Sequence, residues 1–144
     1  MRAITKIVPK TEEELVKIEC HEVNDTVTEI VKFVDSRAEA IEGYDNDKAY
    51  RILIKDIFYI EAVDNRVYAY LEDKILELKI KLYEFEEQYG NEEFFRCSKN
   101  TIVNLMKIDY MKPALNGRFL AALYNGESII ISRKYAVELK RRLK

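Results

Sequence analysis

From residue 50 onward, the chain alternates short β-type segments with turn-forming pairs of residues. The segments are rich in Ile, Val, Tyr and Phe, a composition typical of strands. Asn116-Gly117 and Asn125-Gly126 are strong hairpin signals, and Asp64-Asn65 and Asp73-Lys74 are further turn candidates. Strands this short and this closely spaced predict small antiparallel sheets. The fold class expected is therefore mainly β with short helices (α+β).

Short helices are predicted between and after these strands. Leu82, Phe85 and Tyr89 recur at helical spacing before Gly90, which is a typical helix end. A terminal helix is expected to begin after Ser132. Residues 98–104 are predicted to form one helical turn capped by Ser98.

The first part of the chain has its own pattern. Residues 16–23 alternate apolar and polar side chains, which predicts a strand, and residues 26–42 show helical spacing behind a capping box at Thr26. We therefore divide the chain into a strand-helix extension, residues 1–48, and a main domain, residues 49–144. A lone strand and helix cannot bury their apolar faces. The extension is expected to dock on its own domain or to mediate homodimerisation.

Charge is distributed unevenly along the chain. The net charge is −2 and the pI about 5.6, below the basic value typical of a nucleic-acid-binding domain. Residues 94–144, however, carry 11 Lys and Arg against 3 Asp and Glu. Such a local basic field attracts phosphate, although a solvated basic face would look the same in the sequence.

The sequence provides little for catalysis. The single His, His21, follows Cys20 on the predicted strand, and neighbours on a strand point to opposite faces. Two Cys and one His are too few for a metal site, and no Gly-rich phosphate loop is present. We expect no enzymatic activity, no metal, no cofactor and no small-molecule substrate. Lacking a signal peptide and an apolar run of membrane-spanning length, the chain is expected in the cytoplasm.

Three segments in order resemble one known family: Ile57–Ala62, Phe94–Leu105 and Ile131–Tyr135. They look like the LytTR DNA-binding domain of bacterial transcription regulators, over roughly residues 49–144. The resemblance implies an elongated set of antiparallel sheets. It also implies that loop side chains, rather than a recognition helix, enter successive major grooves of double-stranded DNA.

By position, the resemblance implies three DNA-reading loops. The residues expected to contact DNA are Asn65, Arg66, Ser98, Lys99, Asn100, Arg133 and Lys134. Ser98 stands where many family members have His. Phe94, Phe95, Val103, Leu105, Tyr59 and Ile60 are expected in the core. Asn104 is expected to cap or bridge backbone there.

The resemblance also suggests how such a regulator works. Only about 48 residues precede the domain, so we expect no phosphoacceptor receiver domain. The chain is similar to the family's stand-alone members, in which a membrane protein encoded nearby often acts as antagonist. A homodimer would suit target sites made of paired short repeats. The function expected is sequence-specific DNA binding in transcription regulation. The alternative is a protein–protein interaction module that uses the basic C-terminal face.

Overall fold

The computed structural model describes residues 1–37, 39–90 and 93–142. The chain divides into two compact units, Met1–Ala38 and Glu39–Lys144. The sequence-based boundary after residue 48 lies inside the second unit, because residues 40–45 pair with the strand that follows them. Among the described residues, no helix has the length and apolar composition needed to cross a membrane.

The first unit contains helix α1, Asp25–Ser36. Its N-cap is Asn24, whose side-chain oxygen accepts a hydrogen bond from the backbone N–H of Val27 at 3.1 Å. The predicted cap at Thr26 and the predicted extension of the helix to residue 42 are therefore wrong. The strand predicted over residues 16–23 is also wrong: residues 1–24 are all described and none belongs to a strand. Alternation alone does not make a strand, which needs a neighbouring strand for its backbone hydrogen bonds.

The described part of the second unit is built from ten strands and two helices. The strands are β1 Ala40–Asp45, β2 Lys48–Leu53, β3 Tyr59–Val63, β4 Arg66–Tyr70, β5 Ile75–Leu78, β6 Phe94–Ser98, β7 Thr101–Asn104, β8 Ile108–Pro113, β9 Phe119–Leu123 and β10 Ser128–Ile131; the helices are α2 Leu82–Tyr89 and α3 Arg133–Arg142. One sheet has the order β2-β1-β5-β4-β3-β7-β6 and the other β10-β9-β8, with antiparallel pairing throughout. The predicted fold class, mainly β with short helices, is confirmed.

Two apolar cores lie on opposite faces of the larger sheet. One contains Ile60, Ile102 and Phe94 with α2, and the other contains Tyr59 and Val103 with β9, β10 and α3. Successive strand residues point to opposite faces, so the central strands contribute to both cores. The expected core residues are buried, with Leu105 only half-buried.

The segment 98–104 differs from its prediction. It forms a hairpin turn followed by β7, not a helical turn. Thr101, Ile102 and Val103 are β-branched and buried on both faces of the sheet, an environment that favours a strand over a helix.

Asn104 bridges two backbone segments, as expected. Its side-chain amide donates to the carbonyl oxygen of Ile57 at 2.9 Å, and its side-chain oxygen accepts from the N–H of Met106 at 3.0 Å. The residue is 1% exposed. It is a structural residue, buried at the end of β7 with its side chain held by backbone groups.

Candidate nucleic-acid interface

The three predicted DNA-contact loops lie side by side at one edge of the second unit. Turn 64–65 follows β3, and turn 99–100 precedes β7, the antiparallel neighbour of β3. The backbone N–H of Ala62 donates to the carbonyl of Asn100 at 2.9 Å. The N–H of Ser132 donates to the carbonyl of Cys97, also at 2.9 Å. Backbone hydrogen bonds therefore tie each loop to the next, and we call this region the loop edge.

The first loop is a two-residue hairpin turn. Asp64 and Asn65 both have left-handed backbones, with φ of 50° and 65°, and Val63 pairs with Arg66 on either side. Asn, Asp and Gly tolerate this conformation best, so the sequence of the turn explains its shape. Asn65 is exposed, whereas the Arg66 guanidinium lies 3.5 Å from the Glu77 carboxylate.

The second loop is clamped by a side chain that precedes it. The Arg96 guanidinium donates to the carbonyl of Ser98 at 2.9 Å and to the carbonyl of Lys99. It also forms an ion pair with Glu86 of α2 at 3.2 Å. Carbonyls held in this way fix the backbone, while Lys99 and Asn100 remain exposed. The Ser98 hydroxyl accepts from the Asn100 N–H at 3.3 Å, which leaves its O–H free to donate.

The third loop is the start of α3, where Arg133 and Lys134 are exposed. The prediction that a helix begins after Ser132 is confirmed. The turn between β8 and β9 lies against this segment, because Gly117 is in close contact with the side chain of Arg133. Lys134 places its ammonium 5.4 Å from the ring centre of Tyr135.

A cleft of about 550 Å³ opens between the second and third loops. The residues that line it are both polar and apolar: Glu61, Ser98, Thr101, Arg118, Ser128 and Ser132, with Tyr59, Ile129 and Ile130. The Tyr70 hydroxyl donates to the Glu61 carboxylate at 3.2 Å. Burial raises the pKa of Tyr70, so its hydroxyl stays a neutral donor. The lining can offer hydrogen bonds, and Arg118 offers one positive charge.

Three cations at the loop edge have no ion-pair partner among the described residues. Within residues 1–37, 39–90 and 93–142, neither Lys99, Arg118 nor Arg133 has an ion-pair partner. Asp64 is the acidic residue of the first turn. Side chains with unpaired guanidinium and ammonium groups can neutralise phosphates or donate to base edges.

Chemistry beyond binding has little support in this region. In the described part of the chain, no three His, Cys, Asp or Glu side chains cluster to hold a metal. Cys97, one residue before the second loop, is fully buried, and burial raises its thiol pKa to about 12. A thiol with that pKa stays protonated and unreactive at neutral pH.

Three residues of this edge were not predicted as functional: Arg96, Gly117 and Arg118. Arg96 and Arg118 belong to the basic C-terminal stretch, but the sequence does not indicate which carbonyls or clefts they meet. Asn116-Gly117 is visible as a hairpin turn. Its contact with Arg133 joins residues that are 16 positions apart and is set by tertiary structure.

Comparison with known proteins agrees with this architecture. The family model of the LytTr DNA-binding domain matches residues 47–144. A solved LytTr DNA-binding domain from Bacillus cereus superposes with a TM-score of 0.69 at 28% identity, covering 72% of this chain and 95% of that domain. A protein of Staphylococcus aureus strain NCTC 8325, named an uncharacterized HTH-type transcriptional regulator, is 28% identical over 133 residues, covering 91% of this chain and 90% of that protein. A regulator of the same description from strain MSSA476 is 28% identical over 136 residues, covering 93% of this chain and 92% of that protein.

A match over residues 47–144 includes both sheets except β1, both helices of the second unit and all three loops. The fold and the family model therefore agree on the class of protein, a LytTr-type DNA-binding domain. The chain belongs to the LytTR family.

Proposed function

We propose that this chain is a sequence-specific DNA-binding transcription regulator that reads double-stranded DNA with the side chains of the loop edge. The observation that supports this most is the grouping of three loops at one edge of the fold, with the cations Lys99 in the second loop and Arg133 in the third, both unpaired within the described part of the chain. Family membership and the names of the Staphylococcus relatives support the same conclusion.

In this proposal, the loops enter successive major grooves and divide the work. Arg133 is suited to bidentate donation to guanine, and Asn65 and Asn100 to pairing with adenine. Lys99 and Lys134 are suited to phosphate contacts. Arg66 is suited to a phosphate or a base once its guanidinium leaves Glu77. Ser98 accepts a hydrogen bond from Asn100 within its turn, and its O–H can still donate to a phosphate or a base edge. Phosphate contacts would provide much of the affinity and would make it depend on salt.

The arrangement of helices favours loops over a helix-turn-helix, although the relatives are named HTH-type. A helix-turn-helix consists of two helices joined by a short turn. In the described part of this chain, strands separate α1 from α2 and α2 from α3. No two of these helices can form that motif.

The alternative, a protein-binding module on the basic C-terminal face, is less well supported. Several cations of α3 are engaged within their own domain. Lys140 lies 4.8 Å from the ring centre of Phe119, and Arg141 pairs with Glu138 at 3.3 Å. Lys99 and Arg133, which have no ion-pair partner among the described residues, lie at the loop edge instead, and this supports a nucleic-acid partner.

We further propose a homodimer in the cytoplasm, formed through α1 and bound to paired short repeats. Val27, Ile30, Val31 and Val34 share one face of the helix, and Val31 on that face is 44% exposed, which suits contact with a second copy. A membrane-protein antagonist remains part of the proposal on the family resemblance alone. Analytical ultracentrifugation tests the dimer: a single-chain mass at micromolar concentration would exclude it, and Val31→Glu should convert a dimer to that mass.

The test of DNA reading compares Arg133→Ala with Lys99→Ala on one selected site and on variants of it. If Arg133 reads a base, its loss costs about 1–3 kcal/mol on the selected site and relaxes preference at one position. Loss of Lys99 should instead weaken all sequences alike and reduce the salt slope by about one. Equal affinity of the wild-type chain for all sequences would refute the proposed function.

A further inference from the structure

The turn between β8 and β9 lies outside the three predicted loops, yet it contacts the third. We infer that Gly117 in this turn sets the direction in which Arg133 projects from the start of α3. Gly117 would thus be a positioning residue for base reading. The inference rests on the proposed function, because it concerns how one of its contacts is aimed.

The evidence is the space above the α-carbon of Gly117. A Cβ placed there would lie 2.8 Å from Cδ and 2.9 Å from Cγ of Arg133. Separations below 3.0 Å are essentially never seen for real Cβ atoms. The aliphatic stem of Arg133 therefore lies where any other residue at position 117 would place its side chain.

A Cβ at position 117 would displace the Arg133 side chain and leave the fold unchanged. The Cγ and Cδ of Arg133 belong to a flexible, exposed side chain, so rotation of that side chain is the cheapest response. The guanidinium lies at the far end of the stem and would be displaced most. Bidentate recognition of a base edge depends on a fixed fork geometry, whereas general attraction to phosphate depends mainly on charge. A side chain at position 117 should therefore weaken sequence discrimination and preserve the salt dependence.

The chain contains a matched control for backbone strain. Gly117 has φ of +76° and Gly126, in the β9–β10 turn, has φ of +88°. Alanine is strained in that conformation at either position. A Cβ at Gly126, however, meets nothing within 4 Å. The difference between Gly117→Ala and Gly126→Ala isolates the contact with Arg133.

The experiment measures DNA affinity for the full chain carrying G117A, G126A, R133A or the double change G117A/R133A. Each is titrated against the selected site and against a site altered at the base whose preference R133A abolishes. R133A should lower affinity for the selected site about 5- to 150-fold. G117A should lower it by roughly threefold or more relative to G126A, up to the loss seen in R133A. The salt slope of G117A should equal that of G126A.

In the R133A background, G117A should weaken binding no more than G126A does, because the Arg133 side chain that a Cβ at position 117 displaces is absent. An effect of G117A equal to that of G126A, or one that persists fully without Arg133, would overturn the inference and leave the proposed function standing. An R133A variant that binds every sequence like the wild type would also overturn the inference, whereas equal affinity of the wild-type chain for all sequences would refute the proposed function. If G117A folds poorly, Gly117→Asn carries the same Cβ on a residue that tolerates positive φ, and it should reproduce the loss.

Discussion

Two hairpin turns of similar length stand together at the loop edge, yet they are held in different ways. The β3–β4 turn takes its shape from its own residues, Asp64 and Asn65, which both adopt left-handed backbones. The β6–β7 turn takes its shape from Arg96, which binds two of its carbonyls and also reaches Glu86 on α2. The first turn is therefore encoded locally, and the second depends on a distant helix.

The largest effect should come from removing the clamp of the second turn. Arg96→Ala deletes two guanidinium–carbonyl hydrogen bonds and an ion pair on a side chain that is only 22% exposed. Hydrogen bonds to charged groups contribute about 1.5–3 kcal/mol, so we expect unfolding free energy to fall by about 2 kcal/mol. Chemical denaturation measures this value, and binding of the selected DNA should weaken as well.

Arg66 provides the matched control at the first turn. Its guanidinium is 3.5 Å from Glu77 and its side chain is 64% exposed, a pair expected to contribute below about 1 kcal/mol. Arg66→Ala should hardly change unfolding free energy. Equal losses in the two variants would mean that the contrast between the turns is false.

A smaller effect should come from the backbone of the first turn. Asn65→Ala places a Cβ-bearing residue that disfavours left-handed φ at +65° and should cost about 1 kcal/mol of unfolding free energy. Asn65→Gly keeps the conformation and removes the side chain, so its stability should stay close to that of the wild type. If Asn65→Gly also retains full DNA affinity, Asn65 is a turn former and not a base contact.

The effect that is smallest at neutral pH concerns Cys97, beside the second turn. Burial raises its pKa from 9.0 to about 12, so a thiol reagent at pH 8 should label the exposed Cys20 alone, and both thiols after unfolding. Labelling of Cys97 in the folded chain would contradict this. Above pH 9 the unfolded thiol ionises while the folded one does not, so stability should decline as pH rises toward 12. The stability difference from Cys97→Ser should shrink over that range.

The contrast between local and distant determinants of the two turns also explains which features the sequence could predict. Local signals identified the turns at Asp64-Asn65 and Asn116-Gly117 and the start of α3, because the residues that form them are adjacent. The segment after Ser98 was misassigned as helical, since its burial on both faces of the sheet cannot be seen locally. The contact of Arg133 with Gly117 was missed for the same reason.

The loop residues themselves came from family resemblance, and their DNA contacts remain predictions. Lys99, Arg133 and the others are surface residues, and surface charge alone does not distinguish a contact from a solvated face. The structure adds their grouping at one edge and the absence of ion-pair partners for Lys99 and Arg133 among the described residues.

The central claim is that the loop edge reads DNA sequence. The most direct measurement is selection of binding sites from random double-stranded DNA with the purified chain, followed by titration of the best site against salt. We expect enrichment of paired short repeats about one helical turn apart, with affinity that falls steeply as salt rises. Retention without any enriched sequence would contradict it.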